Sequence, residues 1–213
     1  MLKLIKHNIP FLSIYGLFIV SIVILLNIHG KEQLQILANQ YYSPFWDVTF
    51  FWSTKIVEWF SLLVIILIFL FRGAKFALMG MVIYGLTAAV TFGLKRLVFI
   101  DHLRPSALIE NLRLLPSEFG MGQLTAHSFP SGHTTAAFTL FCFLAIISKH
   151  RKMGFLFGII AAIVGYSRVY LSQHFFEDIA AGATLGTFLA LLFYYFLNKI
   201  NVGAWADKPL IKL

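Results

Sequence analysis

Residues 153–178 read MGFLFGIIAAIVGYSRVYLSQHFFED. No Asp, Glu, Lys or Arg occurs from Met153 to Ser167. Arg168 then closes the apolar run, and His174 and Asp178 follow. A run of this length and apolarity predicts a membrane-spanning helix, for which about 20 such residues are needed. Ionisable groups at membrane depth are costly, and where they occur they point to function. His174 and Asp178 are i and i+4, so they share a face if a helix already runs there.

The rest of the chain extends this reading. Of its 213 residues 59% are hydrophobic and 12% charged, and Phe alone occurs 23 times. Soluble domains carry about 25% charged residues. That composition excludes a disordered chain, a collagen, a coiled coil and a disulfide scaffold. The one cysteine, Cys142, cannot form an internal disulfide and lies in an apolar run, as a packing residue would. Charge-poor apolar runs predict helices at 10–29, 56–72, 76–95, 133–149, 153–171 and 177–198, with outer loops at 30–55 and 96–132. The expected fold class is all-α: a polytopic membrane protein with 1–213 as a single membrane domain. It is read as a six-transmembrane-helix bundle with its active site at the outer membrane interface. Lys3 and Lys6 precede the first run as they would in a secretory signal. However, its length and the lack of a small-x-small cleavage site favour a retained helix.

The net charge of +8 sets orientation rather than nucleic-acid binding. With the N-terminus inside, the inner side holds ten of the Lys and Arg residues, including the short hinges Arg72–Lys75 and Lys149–Lys152. The outer side holds seven: Lys31, Lys55, Lys95, Arg96, Arg104, Arg113 and Arg168. The termini are therefore expected in the cytoplasm, and the localisation is read as a bacterial inner membrane. The aromatic residues between Tyr41 and Trp52 read first as an interfacial belt.

Three polar clusters fall on the outer side, each at a helix end. Lys95, Arg96 and Arg104-Pro105 follow the third helix. Ser128-Phe129-Pro130-Ser131-Gly132-His133 precedes the fourth, whose N-terminus offers free backbone N–H groups to an anion. Ser167-Arg168, His174 and Asp178 lie at the turn between the last two. Cations and N–H groups suit the equatorial oxygens of a phosphoryl group in transfer. Two histidines suit a nucleophile and a proton donor, and an adjacent Asp fixes an imidazole tautomer. A metal site of His127, His133, His174 and Asp178 is disfavoured because nearby cations would repel a divalent ion.

These residues resemble the type 2 phosphatidic acid phosphatase family of integral membrane lipid phosphatases, whose pattern is K-x6-R-P, P-S-G-H and S-R-x5-H-x3-D. The second block stands as Pro130-Ser131-Gly132-His133, and the third is complete. The first departs from the pattern: with six residues between it and Arg104 stands Leu97, and Lys95 takes the part only if two residues are inserted. The resemblance covers roughly 76–196. It implies His174 as the nucleophile that forms a phosphohistidine, with Asp178 as its orienting partner. His133 becomes the general acid and then the base. Lys95, Arg104 and Arg168 become the phosphate clamp, with Ser131 and the Gly132 amide adding hydrogen bonds. It also implies no cofactor or metal, and a membrane-embedded lipid phosphate or pyrophosphate as substrate. Selection among lipids is expected in the loop 30–55 and the stretch 106–126. Two alternatives use the same residues: a non-catalytic lipid-phosphate binder or transporter, and a vanadate haloperoxidase-like enzyme, a soluble group that six spans argue against.

Overall fold

The computed structural model describes residues 1–114, 124–203, 206, 208 and 211, without the side chains of residues 56, 58, 59 and 62. The helices are α1 (Leu2–His29), α2 (Lys31–Gln40), α3 (Pro44–Arg72), α4 (Ala74–Gly93), α5 (Pro105–Leu108), α6 (Gly132–Ile147), α7 (Met153–Tyr170) and α8 (Phe176–Leu197). A π turn, Leu94–Val98, continues α4. Among the described residues there is no strand.

Helix α6 forms the middle of the bundle, packed against α4, α7 and α8. Ala137, Phe138, Cys142, Phe143 and Ala145 on it are fully or almost fully buried. Its interior hydroxyls cannot reach water, so they bond to the preceding turn: Thr135 Oγ1 donates to Ser131 O and Thr139 Oγ1 to Thr135 O, each at 2.8 Å. Helix α8 lies against α6 almost backbone to backbone. A Cβ at Gly182 would stand 2.7 Å from Ser131 O, and one at Gly186 2.3 Å from Thr135 O. No larger residue fits at either position. Close approach through small residues is how helices associate where lipid removes the hydrophobic drive. It brings the start of α8 level with the start of α6, and the Ser131 N–H donates to Asp178 O at 3.0 Å. Helix α1 packs on α7 in the same manner, with Gly154 and Gly158 against Phe11 and Ile14.

Among the described residues, four helical segments are long and apolar enough to cross a membrane: Leu2–His29, Ala74–Val98, Met153–Tyr170 and Phe176–Leu197. Leu63–Arg72 and Gly132–Ile147 are shorter apolar helices. Several boundaries differ from those read off composition. The region 30–55, expected as a loop, is mostly helical, and α1 starts at Leu2 rather than near residue 10. A scan for apolar runs finds the hydrocarbon-soluble part of a helix, whereas hydrogen bonding carries the helix further into water. At α3 the start is set by Ser43, whose hydroxyl accepts from Trp46 N at 3.3 Å, with Pro44 at the first helical position. Tyr41, Phe45 and Trp52 are exposed at this end of the bundle, while Phe50 is buried against Tyr170. Residues 115–123 of the stretch 106–126, named for lipid selection, lie outside the described residues, as does the Glu58 side chain.

Candidate active site

Helix α7 ends at Tyr170, and the chain turns sharply before α8. Ser172 adopts a left-handed φ of 54°, and the N–H groups of Gln173 and His174 both donate to Arg168 O, at 2.9 and 3.1 Å. This turn sets the Arg168 guanidinium and the His174 ring side by side. The helix α8 begins only at Phe176, so His174 and Asp178 are not neighbours on one helical face as the i, i+4 reading required. They meet across the helix start. Asp178 is the third residue of α8, and its Oδ2 accepts the Phe175 N–H at 2.9 Å, satisfying a helix-start donor. The same oxygen lies 3.3 Å from His174 Nδ1 and accepts from Ser128 Oγ at 2.5 Å. Three donors thus converge on one oxygen, in a place where His174 and Asp178 are each 1% exposed. With Nδ1 held by this group, Nε2 is the nitrogen left for chemistry.

The cations gather around that ring. Burial pushes the His174 imidazole well below the usual 6.5, and the charges of Arg104, Lys95, Arg168 and His133 push it the same way. Each cation is braced from behind. Arg104 donates through Nε to Ala126 O at 3.1 Å and through Nη1 to Gln173 O and Oε1 at 3.0 and 3.2 Å. Burial lowers the Arg104 pKa and the nearby Asp178 raises it. Lys95 Nζ donates to His127 O at 2.9 Å. Arg168 Nη1 donates to Thr54 Oγ1 at 3.0 Å, and that hydroxyl is 3.1 Å from Ser167 Oγ. Ser131 caps α6: its Oγ accepts from Thr134 N and Oγ1, at 3.4 and 2.9 Å. As the donor in neither bond, it keeps its own proton. Gly132 leaves the α6 start open beside Lys95, whose Cε would be 3.8 Å from an added Cβ. Among the described residues, no group of three or more His, Cys, Asp and Glu is placed to hold a metal ion.

Lys95, Arg104, Ser131, Gly132, His133, Arg168, His174 and Asp178 therefore all meet in one place. The π turn accounts for one of the two extra residues in the irregular first block. Its Phe99 N–H donates to Leu94 O, a 2.8 Å bond spanning five residues, so the turn carries an extra residue relative to an α-helix. Lys95 faces the site, whereas Leu97 is 83% exposed and the Arg96 guanidinium lies over the Phe92 ring, 5.7 Å from its centroid.

Sequence reading assigned no role to Ser128, Gln173, Thr54, Asn39 or Arg113. Arg113 ties its segment to the start of α3: its guanidinium grips both Asp47 oxygens and lies 4.0 Å from the Tyr42 ring centroid. Burial raises the Asp47 pKa, but hydrogen bonds from Arg113 and Tyr170 outweigh it and hold the carboxyl below its ordinary range. The Arg113 N–H donates to Asn39 Oδ1 at 2.8 Å, and Ser172 Oγ donates to Arg113 O at 3.3 Å. Nothing in sequence spacing joins residues 39, 47, 113 and 172.

Residues 76–201 match the PAP2 superfamily. A lipid A 4'-phosphatase of Bacteroides thetaiotaomicron is 28% identical over 188 residues, covering 83% of this chain and 81% of that protein. Phosphatidylglycerophosphatase B of Bacillus subtilis is 35% identical over 127 residues, 55% of this chain and 60% of that protein. A crystal structure of a transmembrane PAP2 type phosphatidylglycerolphosphate phosphatase from Bacillus subtilis superposes with a TM-score of 0.62. It is 25% identical, and the match covers 95% of this chain and 99% of that one. A family match over more than half the chain, with the motif residues gathered about one imidazole, leads to one conclusion: the protein belongs to the PAP2 superfamily of membrane phosphatases.

Proposed function

We propose that the protein hydrolyses a lipid phosphate or pyrophosphate at the outer face of a bacterial inner membrane, through a phosphohistidine on His174 and without a metal ion. The observation that carries this reading is the grip of Asp178 and Ser128 on His174 Nδ1 inside a ring of positive charge. A protein that only bound or carried a lipid phosphate would need the cations but no oriented nucleophile. The similar proteins bear the names of phosphatases that act on lipid A and on phosphatidylglycerophosphate, and both substrates are phosphate monoesters of membrane lipids.

The chemistry then runs in two steps. His174 Nε2 attacks phosphorus and the bond to the lipid oxygen breaks, while His133 gives that oxygen a proton. His133 next takes a proton from water, the hydroxide attacks phosphorus, and the P–N bond breaks to release phosphate. The covalent intermediate divides a barrier that is among the highest for biological hydrolyses. Lys95, Arg104 and Arg168, with Ser131 and the Gly132 N–H, stabilise charge on the three remaining oxygens in both transition states.

The bundle in this reading crosses the membrane six times. Helix α6 is about 24 Å long at 16 residues, but most of its side chains are buried in protein, so it does not have to match the lipid by itself. Inner hinges at Arg72–Lys75 and Lys149–Lys152 set the orientation, with the termini in the cytoplasm. The test is phosphate release from a panel of lipid phosphates in detergent with chelator present, for wild type and His174→Ala. Full turnover by His174→Ala ends the mechanism. A covalent phosphoenzyme that is acid-labile and accumulates in His133→Ala supports it.

A further inference from the structure

A groove of about 230 Å³ opens between α4 and α6 and runs directly into the site. Lys95 and Gly132 line it at the site, Ala88 on α4 and Ala136 on α6 line it further along, and Tyr84 is the lining residue furthest along α4 from Lys95. From Lys95 down to Tyr84 are eleven residues, about 16 Å of helix. That is close to half the ~30 Å hydrocarbon core of a bilayer, the depth of one leaflet. Three of the four hydroxyls along the groove are bonded to backbone carbonyls, and that of Thr87 is buried without a hydrogen-bond partner among the described residues. Thr91 Oγ1 donates to Thr87 O and Thr135 Oγ1 to Ser131 O, each at 2.8 Å, and Tyr84 OH donates to Val57 O at 3.3 Å. The lining is mostly hydrocarbon. Ala88 is exposed and Phe92 is 64% exposed, so the groove is open sideways.

A second apolar groove, about 450 Å³, lies between α1, α2, α7 and α8, lined by Phe18, Leu34, Tyr166 and Phe176. It is larger, but none of its lining residues belongs to the phosphate clamp.

We propose that the α4–α6 groove holds one hydrocarbon tail of the substrate while its phosphate lies in the clamp, so that the walls at Ala88 and Ala136 select for tail shape. This rests on the phosphatase reading and moves selection from the outer loops into the membrane. A tail leaving lipid for this groove gains no hydrophobic free energy, because lipid is already apolar. The groove instead fixes where the head group stands, and a misplacement of 1 Å can cost about 10²-fold in rate.

Two measurements test it. In mixed micelles, Ala88→Phe and Ala136→Phe lower kcat/KM for a dipalmitoyl lipid phosphate by at least about tenfold. Phenyl phosphate, which has no tail, is turned over within about twofold of wild type by the same variants. Unchanged long-chain turnover, or equal loss on both substrates, overturns the assignment. The second uses the unmodified protein and a non-hydrolysable phosphonate lipid carrying a diazirine at mid-chain. Crosslinks to α4 and α6 support the groove, and crosslinks to α1, α2 or α8 instead overturn it. Crosslinks to α4 and α6 with no phosphate release from any ester would defeat the phosphatase reading and leave the groove standing.

Discussion

Removing the Ser128 hydroxyl tests the site at a residue outside the catalytic assignments that the motifs imply. In Ser128→Ala, Asp178 Oδ2 loses its shortest hydrogen bond, 2.5 Å from Ser128 Oγ, and keeps the Phe175 N–H and His174 Nδ1. A hydrogen bond to a charged group contributes about 1.5–3 kcal/mol. Every 1.4 kcal/mol of that lost from the transition state is a tenfold loss of rate. The main effect falls on the hold over His174, because Lys95, Arg104 and Arg168 are braced by other atoms. The expected outcome is a kcat lower by about 10–100-fold with KM changed less than about threefold. Thermal unfolding should come earlier by several degrees, since about 1 kcal/mol moves Tm by roughly 2–4 °C in a chain of this size. The assay is phosphate release from a lipid phosphate in mixed micelles, with the melting midpoint measured on the same preparation. A Ser128→Ala enzyme with wild-type kcat, or one whose whole loss lies in KM, would refute the hold of Ser128 on Asp178 and His174.

Five further outcomes follow from the same geometry. The acid limb of kcat/KM should lie below pH 6.5, because burial and the neighbouring cations hold the His174 imidazole neutral. The unfolded chain takes up that proton below about pH 6.5, so His174 should make stability rise with pH up to about 6.5 and then level, as a pH series of melting midpoints would show. Lys95→Ala should reduce turnover far more than Arg96→Ala, since Lys95 faces the site and Arg96 lies over Phe92; parallel phosphate-release assays that find the reverse order would contradict the π-turn account. His133→Ala should reduce turnover more than lipid binding, a split readable by comparing kcat with the affinity for a phosphonate analogue. Asp47→Asn and Arg113→Gln should each lower the melting midpoint, and their double mutant should fall short of the sum by more than about 0.5 kcal/mol.

Much was legible in the linear sequence, because it depends on neighbours along the chain. Apolar runs mark the parts of helices that dissolve in lipid, and among the described residues they fall on the four helical segments long and apolar enough to cross a membrane. Ser-Gly at 131–132 announces a helix start, and Ser131 does cap α6. Pro130-Ser131-Gly132-His133 and the Ser167–Asp178 block carry most of the site because their members are held by one short turn or one cap each. Boundaries were less legible: Ser43 and Pro44 begin α3 twelve residues before the apolar run was read to start, because capping does not depend on hydropathy.

The tertiary structure decided everything that required two distant segments to meet. Gly182 and Gly186 look like ordinary small residues until Ser131 O and Thr135 O are found against them. That contact levels the starts of α6 and α8, and so delivers Ser128 to Asp178 across fifty residues. The choice of Lys95 over Leu97 depended on a widened turn that residue counting assumes away. The sequence by itself determined which groups could do the chemistry, since side-chain type is local. Where they stand depended on close packing between helices, which no local pattern encodes.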